Sequence, residues 1–470
     1  MTLIKFGTDG WRAIIGQDYT YENVRKVIQA FCDLHVKDVE NPFVYLGYDR
    51  RFSSDLFAKE AAGVLAANGI RVRLSNDFCP TPCISWMTKE KKALAGIMIT
   101  ASHNPYQWNG VKFKEPYGGS ASPEYCQAIE KQIVANDQAQ KKVAFISFEE
   151  ALAQNWIEFF DPHQEYVQQL RRMVDVDLIR KAKLKIACDP IYGAGSHYFS
   201  SVLDQEVIAI RSDANPGFGG VNPEPIEKNL EVLLQTVRTQ KCHIGLATDG
   251  DADRIGAVDD LGRFVDSHKI FSLILRHLIT HKKSKGEVVT TVSTTQMVTR
   301  LCQKYDLKMH ETPIGFKYIC QKFLQIHPLM GGEESGGIAV AEHVYERDGV
   351  LSGLLLLEII ALHQKPLSEI ISDLQKEAGP LEFVRRDLQV SEEKIRLLKE
   401  RLQNNPPQLL LNEKITRSNL LDGFKYFLED DSWLLVRPSG TEPLLRLYAE
   451  APTLQKAEAM IQEGYRWVEA

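Results

Sequence analysis

Residues 44–69 read VYLGYDRRFSSDLFAKEAAGVLAANG. The first four residues form a short run that favours a β-strand, whereas Ser53 to Asn68 have the composition of a helix. Ser53 or Ser54 is a suitable N-cap residue, and Gly69 stands where a C′ glycine ends a helix. The stretch therefore predicts one strand–loop–helix unit of the kind from which α/β sheets are built.

The same alternation of short apolar runs and helical patterns recurs along the chain. Further strands are predicted at Gly96–Thr100, Leu184–Cys188, His243–Ala247 and Glu287–Val292. Such alternation implies βαβ units and a mostly parallel sheet in each domain. A repeated α/β unit is consistent with this rhythm.

Polar segments follow several of these strands. They are Tyr48-Asp-Arg-Arg51, Ala101-Ser-His-Asn-Pro105, Asp189-Pro-Ile-Tyr-Gly-Ala-Gly195 and Asp249-Gly-Asp-Ala-Asp-Arg254. Ligands of open α/β sheets bind beyond the carboxyl ends of the strands. We therefore expect the functional residues in these segments.

The length of 470 residues exceeds what one hydrophobic core usually serves. A polar helical stretch, Gln127–Gln164, is expected to close the first domain, and Asp259-Asp-Leu-Gly-Arg263 predicts a hairpin turn that closes the second. After Ala378-Gly-Pro380 the pattern changes to a charged helix and alternating strands at Phe424–Leu428, Trp433–Arg437 and Leu444–Glu450, typical of a separate α+β domain. The predicted domains are residues 1–160, 161–262, 263–378 and 379–470.

The composition, 44% hydrophobic and 25% charged residues, is that of a globular protein. A net charge of −6 disfavours a nucleic-acid binder or a protein of anionic membrane surfaces. The most apolar run, Val350 to Leu362, is too short to span a bilayer and contains Glu358. Residues 1–12 lack the apolar segment of a signal peptide, and the eight scattered cysteines are typical of reduced thiols. We expect a cytoplasmic protein.

Three carboxylates at alternate positions, Asp249, Asp251 and Asp253, form the sharpest motif. Adjacent anions repel one another unless a cation or proton joins them, and hard oxygen ligands suit Mg²⁺. An EF-hand loop would need glycine at its sixth position, where Arg254 stands, and its flanks would be helices. A metal site is favoured over this alternative and over an acidic solvated turn.

Three further motifs have chemistry that the residues alone leave open. Thr100-Ala-Ser-His-Asn-Pro105 offers Ser102 as a nucleophile, but a cap or turn fits the pattern too. Lys112, which follows nearby, is a hydrogen-bond donor to a phosphate, an acid/base group or a solvated lysine. Arg437-Pro-Ser-Gly-Thr-Glu-Pro443 combines donors for a phosphate cradle, with an ordinary turn as the alternative. The glycines of Gly331-Gly-Glu-Glu-Ser-Gly-Gly337 allow the two glutamates and the serine to approach sugar hydroxyls closely, but the pattern alone is weak.

Together and in this order, these four motifs resemble those of the α-D-phosphohexomutase superfamily, the phosphoglucomutases and phosphomannomutases. The N-terminal Phe6-Gly-Thr-Asp-Gly-Trp-Arg12 is a fifth match. The resemblance extends from residue 4 to residue 450. It implies an α/β protein with three similar α/β domains that contain mixed sheets, plus a smaller C-terminal α+β domain, around a central cleft.

The resemblance implies roles for individual residues. Ser102 matches the active-site serine that carries a phosphoryl group, and Arg12, His103 and Lys112 match residues that surround it. The Mg²⁺ ligands are matched by Asp249, Asp251 and Asp253, with a phosphate oxygen on Ser102 as the implied fourth ligand.

Substrate-binding positions are implied in the same way. Arg254 matches a substrate-contacting arginine, and Glu333 and Ser335 match the residues that read the sugar hydroxyls. Gly315 and Lys317 stand where the family has a substrate loop in its third domain, a looser match. The cradle for the non-reacting phosphate is matched by Arg437, Ser439, Gly440 and Thr441.

The implied function is a phosphohexomutase that interconverts hexose 1-phosphate and hexose 6-phosphate through a phosphoserine and a bisphosphosugar. Gly332-Glu-Glu-Ser-Gly336 is similar to glucose-preferring members, whereas glucosamine-type members carry Gln between Glu and Ser. We therefore expect a Mg²⁺-dependent phosphoglucomutase, with glucose 1,6-bisphosphate as activator and intermediate.

Several other activities stay open. Phosphomannomutase or dual glucose/mannose specificity is the main alternative; a phosphoglucosamine mutase, a Mg²⁺-dependent phosphatase and a sugar-phosphate-binding protein without turnover are less favoured. The expected partners are small sugar phosphates, with no nucleic acid and no membrane, and the expected state is a monomer or homodimer.

Overall fold

The computed structural model describes residues 4–7, 10–35, 39–438 and 444–469. In these ranges helices and strands alternate along most of the chain, and four large sheets follow one another in sequence order. The first three sheets are mixed, and the fourth is antiparallel. This is the predicted fold class, three similar α/β units and a C-terminal α+β unit. The domain boundaries at residues 160, 262 and 378 stay predictions.

The first sheet has six strands: β1 (Trp11–Ile14), β2 (Phe43–Tyr48), β3 (Arg71–Ser75), β4 (Ala95–Ile99), β5 (Trp108–Lys114) and β6 (Ile157–Phe160). Its helices are α1 (Tyr21–His35), α2 (Ser54–Ala67), α3 (Thr81–Glu90), α4 (Pro123–Gln138) and α5 (Phe148–Ala153). The strand order is β1-β5-β4-β2-β3-β6, and β5 is antiparallel to both of its neighbours. The central strands are buried on both faces, as expected for strands covered by helices on two sides.

Two details of this sheet differ from the sequence prediction. Ser53 occupies the N-cap position of α2 but has a φ of 57° and makes no side-chain cap, while the hydroxyl of Ser54 donates to Asp49 instead. The stretch Gln127–Gln164 is not helical throughout, because it contains β6, which pairs in parallel with β3. Short strands between helices lack the length that a periodic pattern needs.

The second sheet has the strands β7 (Ile186–Asp189), β8 (Ile208–Ala209), β9 (Ile244–Thr248), β10 (Ile255–Val258) and β11 (Phe264–Val265). Its helices are α6 (Pro162–Met173), α7 (Val176–Lys181), α8 (Tyr198–Leu203) and α9 (Glu231–Gln240). The order is β11-β10-β9-β7-β8. The predicted hairpin turn is confirmed, since the amide of Asp259 donates to the carbonyl of Arg263 at 2.9 Å between β10 and β11.

The third sheet has the strands β12 (Glu287–Thr291), β13 (Met309–Thr312), β14 (Pro328–Gly332) and β15 (Ile338–Val340), in the order β13-β12-β14-β15. Its helices are α10 (Ser267–Thr280), α11 (Gln296–Lys304), α12 (Phe316–Phe323), α13 (Gly349–His363) and α14 (Leu367–Ala378). Residues 349–361 of α13 are buried throughout, so its apolar run serves the core. No single helix in the described ranges could cross a membrane; only α13 and α14 together, bent by 89°, reach the necessary length and hydropathy.

The C-terminal unit contains an antiparallel sheet in the order β16-β22-β21-β20-β19, and a separate two-stranded ribbon of β17 and β18. Their bounds are β16 (Glu382–Gln389), β17 (Leu409–Leu410), β18 (Glu413–Lys414), β19 (Arg417–Asn419), β20 (Phe424–Phe427), β21 (Trp433–Pro438) and β22 (Leu444–Ala451). The helices are α15 (Glu392–Asn404) and α16 (Leu454–Glu469). The three predicted strands are confirmed as β20, β21 and β22, whereas β16 was not predicted.

The three mixed sheets share one feature that positions the functional motifs. In each, a central strand leads through a short loop into its antiparallel neighbour: β4 into β5, β9 into β10, and β14 into β15. These three loops contain Ser102, the aspartates 249–253 and Glu333. The motifs therefore occupy equivalent places in three similar units.

Candidate active site

Ser102 lies in the loop after β4 with its side chain buried. Its hydroxyl donates to Oδ2 of Asp249 at 2.8 Å, and its amide donates to the hydroxyl of Thr100 at 2.9 Å. Its φ is 53°, a left-handed conformation that non-glycine residues seldom adopt. Such backbone conformations persist where surrounding contacts hold them, and they are frequent at active sites.

The three aspartates after β9 form a buried cluster in which one carboxylate oxygen from each lies within 4.8 Å of the others. Burial, together with repulsion from Asp253 and Asp251, raises the pKa of Asp249 well above its usual range. The Oδ1 atom of Asp253 is buried and accepts no hydrogen bond from the described residues. Three oxygen ligands, one of them with a buried atom that no donor reaches, fit a hard cation such as Mg²⁺.

Lys112 on β5 supplies a cation to the same cluster. Its ammonium lies 2.8 Å from Oδ2 of Asp251 and 3.0 Å from Oδ2 of Asp253, and its side chain is fully buried. Thr81, at the start of α3, also donates to Oδ2 of Asp251, at 2.5 Å. The first unit therefore contributes both the serine and a counter-charge to the carboxylates of the second unit. Because a buried charge is costly without a partner, this ammonium stabilises the cluster.

A cleft with a volume of about 640 Å³ is lined by His103 and Arg254, the residues that follow Ser102 and Asp253 in the chain. This volume is within the size range of small-molecule sites. Predicted site residues that line it are Arg12, His103, Arg254, Gly315, Glu333, Ser335 and Arg437. They come from all four units of the chain, so the cleft is assembled only by the tertiary fold.

Polar contacts tie the first unit to the rim of the cleft. The guanidinium of Arg12 donates to the side-chain oxygen of Asn104 at 2.6 Å. Desolvation lowers the pKa of His103 well below its usual range, and the neighbouring cations Arg254, Arg12 and Lys112 lower it further. The imidazole is therefore neutral at physiological pH.

Glu333, after β14, is held from two sides. Its Oε1 atom accepts a hydrogen bond from the amide of Gly315 at 3.0 Å, and its Oε2 atom lies 3.8 Å from the guanidinium of Arg347. Burial raises its pKa to about 7 against the lowering effect of Arg347. The amide of Gly315 thus orients the carboxylate at the wall of the cleft.

The C-terminal unit contributes a group of cations. Arg385, Arg437, Arg446 and Tyr448 line the cleft from this side. Oδ2 of Asp422 lies 3.0 Å from Nε of Arg437 and accepts the amide of Ile314 at 2.9 Å. The remaining predicted cradle residues, Ser439, Gly440 and Thr441, lie outside the described residues.

Of the predicted substrate-binding residues that the structure describes, one is placed elsewhere, and several cleft residues were missed. Lys317, in the first turn of α12, does not line the cleft; its ammonium lies 5.5 Å from the ring centre of Tyr318. Arg347 was missed, although its guanidinium lies 2.9 Å from Oδ2 of Asp253 and 3.1 Å from Oε1 of Glu346. Its position in the polar segment after β15 is the same signal that identified the other motifs.

Four segments of the chain match domains of one protein family. Residues 3–140, 164–262 and 266–378 match the alpha/beta/alpha domains I, II and III of phosphoglucomutase/phosphomannomutase, and residues 392–464 match its C-terminal domain. The chain belongs to the phosphoglucomutase/phosphomannomutase family. This confirms the predicted superfamily, the α-D-phosphohexomutases, and makes the chain a member of a family of isomerases.

Relatives of this phosphohexomutase family member carry different substrate names. A phosphoglucomutase/phosphomannomutase of Thermococcus kodakarensis is 30% identical over 99% of this chain and 98% of its own. A phosphoglucosamine mutase of Bacillus cereus is also 30% identical, over the same shares. The crystal structure of a protein assigned as a phosphomannomutase in Thermus thermophilus is 31% identical, covers both chains fully and has a TM-score of 0.86. These similarities establish the family and leave the sugar open.

Proposed function

We propose that this phosphohexomutase interconverts glucose 1-phosphate and glucose 6-phosphate with Mg²⁺, through phosphorylated Ser102 and glucose 1,6-bisphosphate. The observation that carries the proposal is the hydrogen bond of 2.8 Å between the hydroxyl of Ser102 and Asp249. This bond connects two groups. The hydroxyl can form a phosphate ester, and the three aspartates are suited to a hard cation. The other hydroxyl of this motif, on Thr100, is engaged with Asp49 instead.

The chemistry requires one bond to break for each that forms. In the first half-reaction a sugar hydroxyl oxygen bonds to the phosphorus atom, the bond to Oγ of Ser102 breaks, and the hydroxyl proton leaves for a base. His103, the neighbour of Ser102 in the chain, and Lys112, which contacts Asp251, are the candidates for relaying this proton to the departing Oγ of Ser102. Mg²⁺, held by the three aspartates, would offset the negative charge of the transferring group.

The bisphosphate must then turn so that its other phosphate reaches Ser102. The same cradle has to grip the non-reacting phosphate in both orientations, which suits a group of arginines across the cleft. Arg437 is the predicted member of that group, and Arg385 and Arg446 line the same wall. Arginine binds phosphate with two parallel hydrogen bonds, so it orients as well as attracts the substrate.

The choice of glucose rests on the sugar-reading loop. Glu333 and Glu334 both line the cleft, and the carboxylate of Glu334, at the position where glucosamine-type members carry Gln, also accepts a hydrogen bond from the hydroxyl of Ser293 at 2.6 Å. A site built to bond a hydroxyl discriminates against an analogue that lacks it, but a changed hydroxyl orientation costs only a few kcal/mol. Phosphoglucosamine mutase is the second candidate, because a relative of equal identity carries that name.

A panel of four sugar 1-phosphates tests the substrate: glucose, mannose, glucosamine and N-acetylglucosamine 1-phosphate. We expect the highest kcat/KM for glucose 1-phosphate and measurable turnover of mannose 1-phosphate. A clear preference for either amino sugar would contradict the assignment to glucose and favour the second candidate.

Ser102→Ala tests the carrier residue. We expect the variant to fold, because one hydroxyl in a loop contributes little to packing, and to lack turnover. Intact-mass measurement after incubation with glucose 1,6-bisphosphate should show one phosphate on the wild type and none on the variant. Ser53→Ala is a matched control at another serine with a positive φ, 57°. Activity retained in Ser102→Ala, or phosphate found on another residue, would exclude Ser102 as the carrier.

A further inference from the structure

Arg51, three residues after β2, binds the backbone of the Ser102 loop. Its guanidinium donates to the carbonyl oxygens of Ser102 at 2.5 Å, Asn104 at 2.7 Å, Pro105 at 2.9 Å and Trp108 at 3.0 Å. Its side chain has no exposed surface. Four carbonyl groups of one loop therefore point at a single buried cation.

Asp49 completes the arrangement as the counter-ion. Its Oδ2 atom lies 3.1 Å from Nε of Arg51 and accepts the hydroxyl of Thr100 at 2.6 Å, while its Oδ1 atom accepts the hydroxyl of Ser54 at 2.9 Å. The hydroxyl of Thr100 in turn accepts the amide of Ser102. The contacts form a closed circuit, Arg51–Asp49–Thr100–Ser102, that holds both backbone polar atoms of the serine.

The serine needs this support because its own backbone conformation is unfavourable. A φ of 53° is disfavoured for a residue with a side chain. The carbonyl contacts of Arg51 are among those that hold the loop in this conformation, in which the hydroxyl reaches Asp249. The buried charge of Arg51 is paired with Asp49 and hydrogen-bonded to the loop. An ion pair with such additional hydrogen bonds offsets the free-energy cost of removing the charge from water.

We infer that Arg51 is a positioning residue for phosphoryl transfer: with Asp49 it holds Ser102 in the left-handed conformation from which its oxygen reaches the aspartate cluster. The inference rests on the proposed role of Ser102 as phosphoryl carrier. The side chain of Arg51 has no exposed surface and its guanidinium is engaged by carbonyl groups of the loop, so it acts through the loop and not on the sugar. Its effect should therefore appear in the rate of transfer and not in substrate affinity.

Arg51→Lys tests this inference, because lysine keeps the charge but cannot bond four carbonyl groups. We expect kcat, and the rate at which glucose 1,6-bisphosphate phosphorylates Ser102, to fall together by about tenfold or more, with KM nearly unchanged. Backbone amides of residues 102–108 should exchange hydrogen faster in the variant, while the rest of the first sheet keeps its protection.

Arg50→Lys is the matched control. Arg50 is the adjacent residue, but its guanidinium points away from the loop, to the carbonyl of Ser212 at 2.7 Å and over the ring of Phe78 at 4.2 Å. This variant should keep the wild-type kcat and the wild-type exchange of the Ser102 loop. If Arg51→Lys fails to fold, Thr100→Val interrupts the same circuit with a side chain of the same shape, and the same loss of kcat is expected.

The outcomes separate this inference from the function on which it rests. Suppose that the wild type is phosphorylated on Ser102, and that Arg51→Lys, or Thr100→Val in its place, has the kcat of the wild type and the same hydrogen exchange in the Ser102 loop. Arg51 then does not position the serine. A parallel rise in KM with unchanged phosphorylation rate would also overturn the inference. If glucose 1,6-bisphosphate leaves Ser102 of the wild type unmodified, the proposed function fails and the inference fails with it.

Discussion

Gly250 lies against the carbonyl oxygen of Ser102: a Cβ atom at position 250 would lie 2.3 Å from that oxygen. This distance is well inside van der Waals contact, and the same carbonyl oxygen already accepts a hydrogen bond from Arg51. The glycine of the Asp-Gly-Asp motif is therefore needed for close approach of two loops from different units. Hydroxyl and carboxylate could not meet at 2.8 Å with a larger residue there.

Gly250→Ala should consequently separate the serine loop from the aspartate loop. We expect a fall in kcat of about a hundredfold or more, since misplacement by roughly 1 Å costs about that factor, and slower phosphorylation of Ser102. Gly217→Ala is the control, because Gly217 has a φ of −84° and its nearest neighbour, the side chain of Asn215, lies 3.3 Å from the added carbon. Wild-type kcat in Gly250→Ala would show that the two loops need not touch.

Asp251→Asn tests the cation site independently of turnover. A ligand that binds only the folded state raises its stability, so Mg²⁺ should raise the Tm of the wild type. The variant loses one negative ligand, and its Tm should respond much less. Asp204→Asn, at an 81% exposed side chain, should respond as the wild type does. An equal Mg²⁺-dependent rise in Asp251→Asn would exclude this aspartate as a ligand.

The raised pKa of Glu333 predicts that the stability of the protein depends on pH. This pKa is raised from the ordinary value of 4.5 to about 7. Burial is the main cause and Glu334 adds to it, whereas Arg347 and Arg254 act in the opposite direction. The folded state therefore binds an additional proton between these values. This stabilising contribution is complete below pH 4.5 and is lost as the pH rises through about 7.

The measurement is the free energy of unfolding of the wild type and of Glu333→Gln across this range. Relative to the variant, the wild type should lose roughly 3 kcal/mol as the pH rises. Glu369→Gln, at an exposed position on α14, should follow the wild type. A constant difference between wild type and Glu333→Gln would show that Glu333 is ionised throughout.

Arg437→Lys distinguishes a phosphate cradle from a structural turn. Lysine keeps the charge but loses the planar fork, and the loss of one charge-assisted hydrogen bond of ~1.5–3 kcal/mol lowers kcat/KM by roughly ten- to a hundredfold. Both reaction directions should suffer, because one cradle serves both orientations of the intermediate. The fraction of Ser102 that is phosphorylated in the purified variant should stay near that of the wild type.

Arg417→Lys is the control for this change. Arg417 is in the same unit, but it lies over the ring of Phe427 and does not line the cleft. It should keep the wild-type kcat/KM. If Arg437→Lys does so as well in both directions, the loop after β21 is not the phosphate site.

The strand–helix alternation and the placement of the motifs at strand ends were predictable because they depend on short segments. Strands β4, β9 and β12 begin and end within one residue of their predicted bounds. The helix α2 and its N-cap position were found as predicted, but the side-chain cap was not, since Ser53 makes no capping hydrogen bond and the hydroxyl of Ser54 donates to Asp49. Capping depends on which partner lies nearer in space, and that partner came from the preceding loop.

The sequence by itself determined the fold class, the family, and the serine and aspartates that meet in the buried cluster, because each depends on a local pattern. Only the tertiary structure decided how their charges are compensated. Lys112 is 139 residues away from Asp251, and Arg347 meets Asp253 from another sheet. Buried charges require partners within a few ångströms, whatever their separation along the chain. These partners, like the contact of Gly250 with Ser102, exist only once three units have packed together.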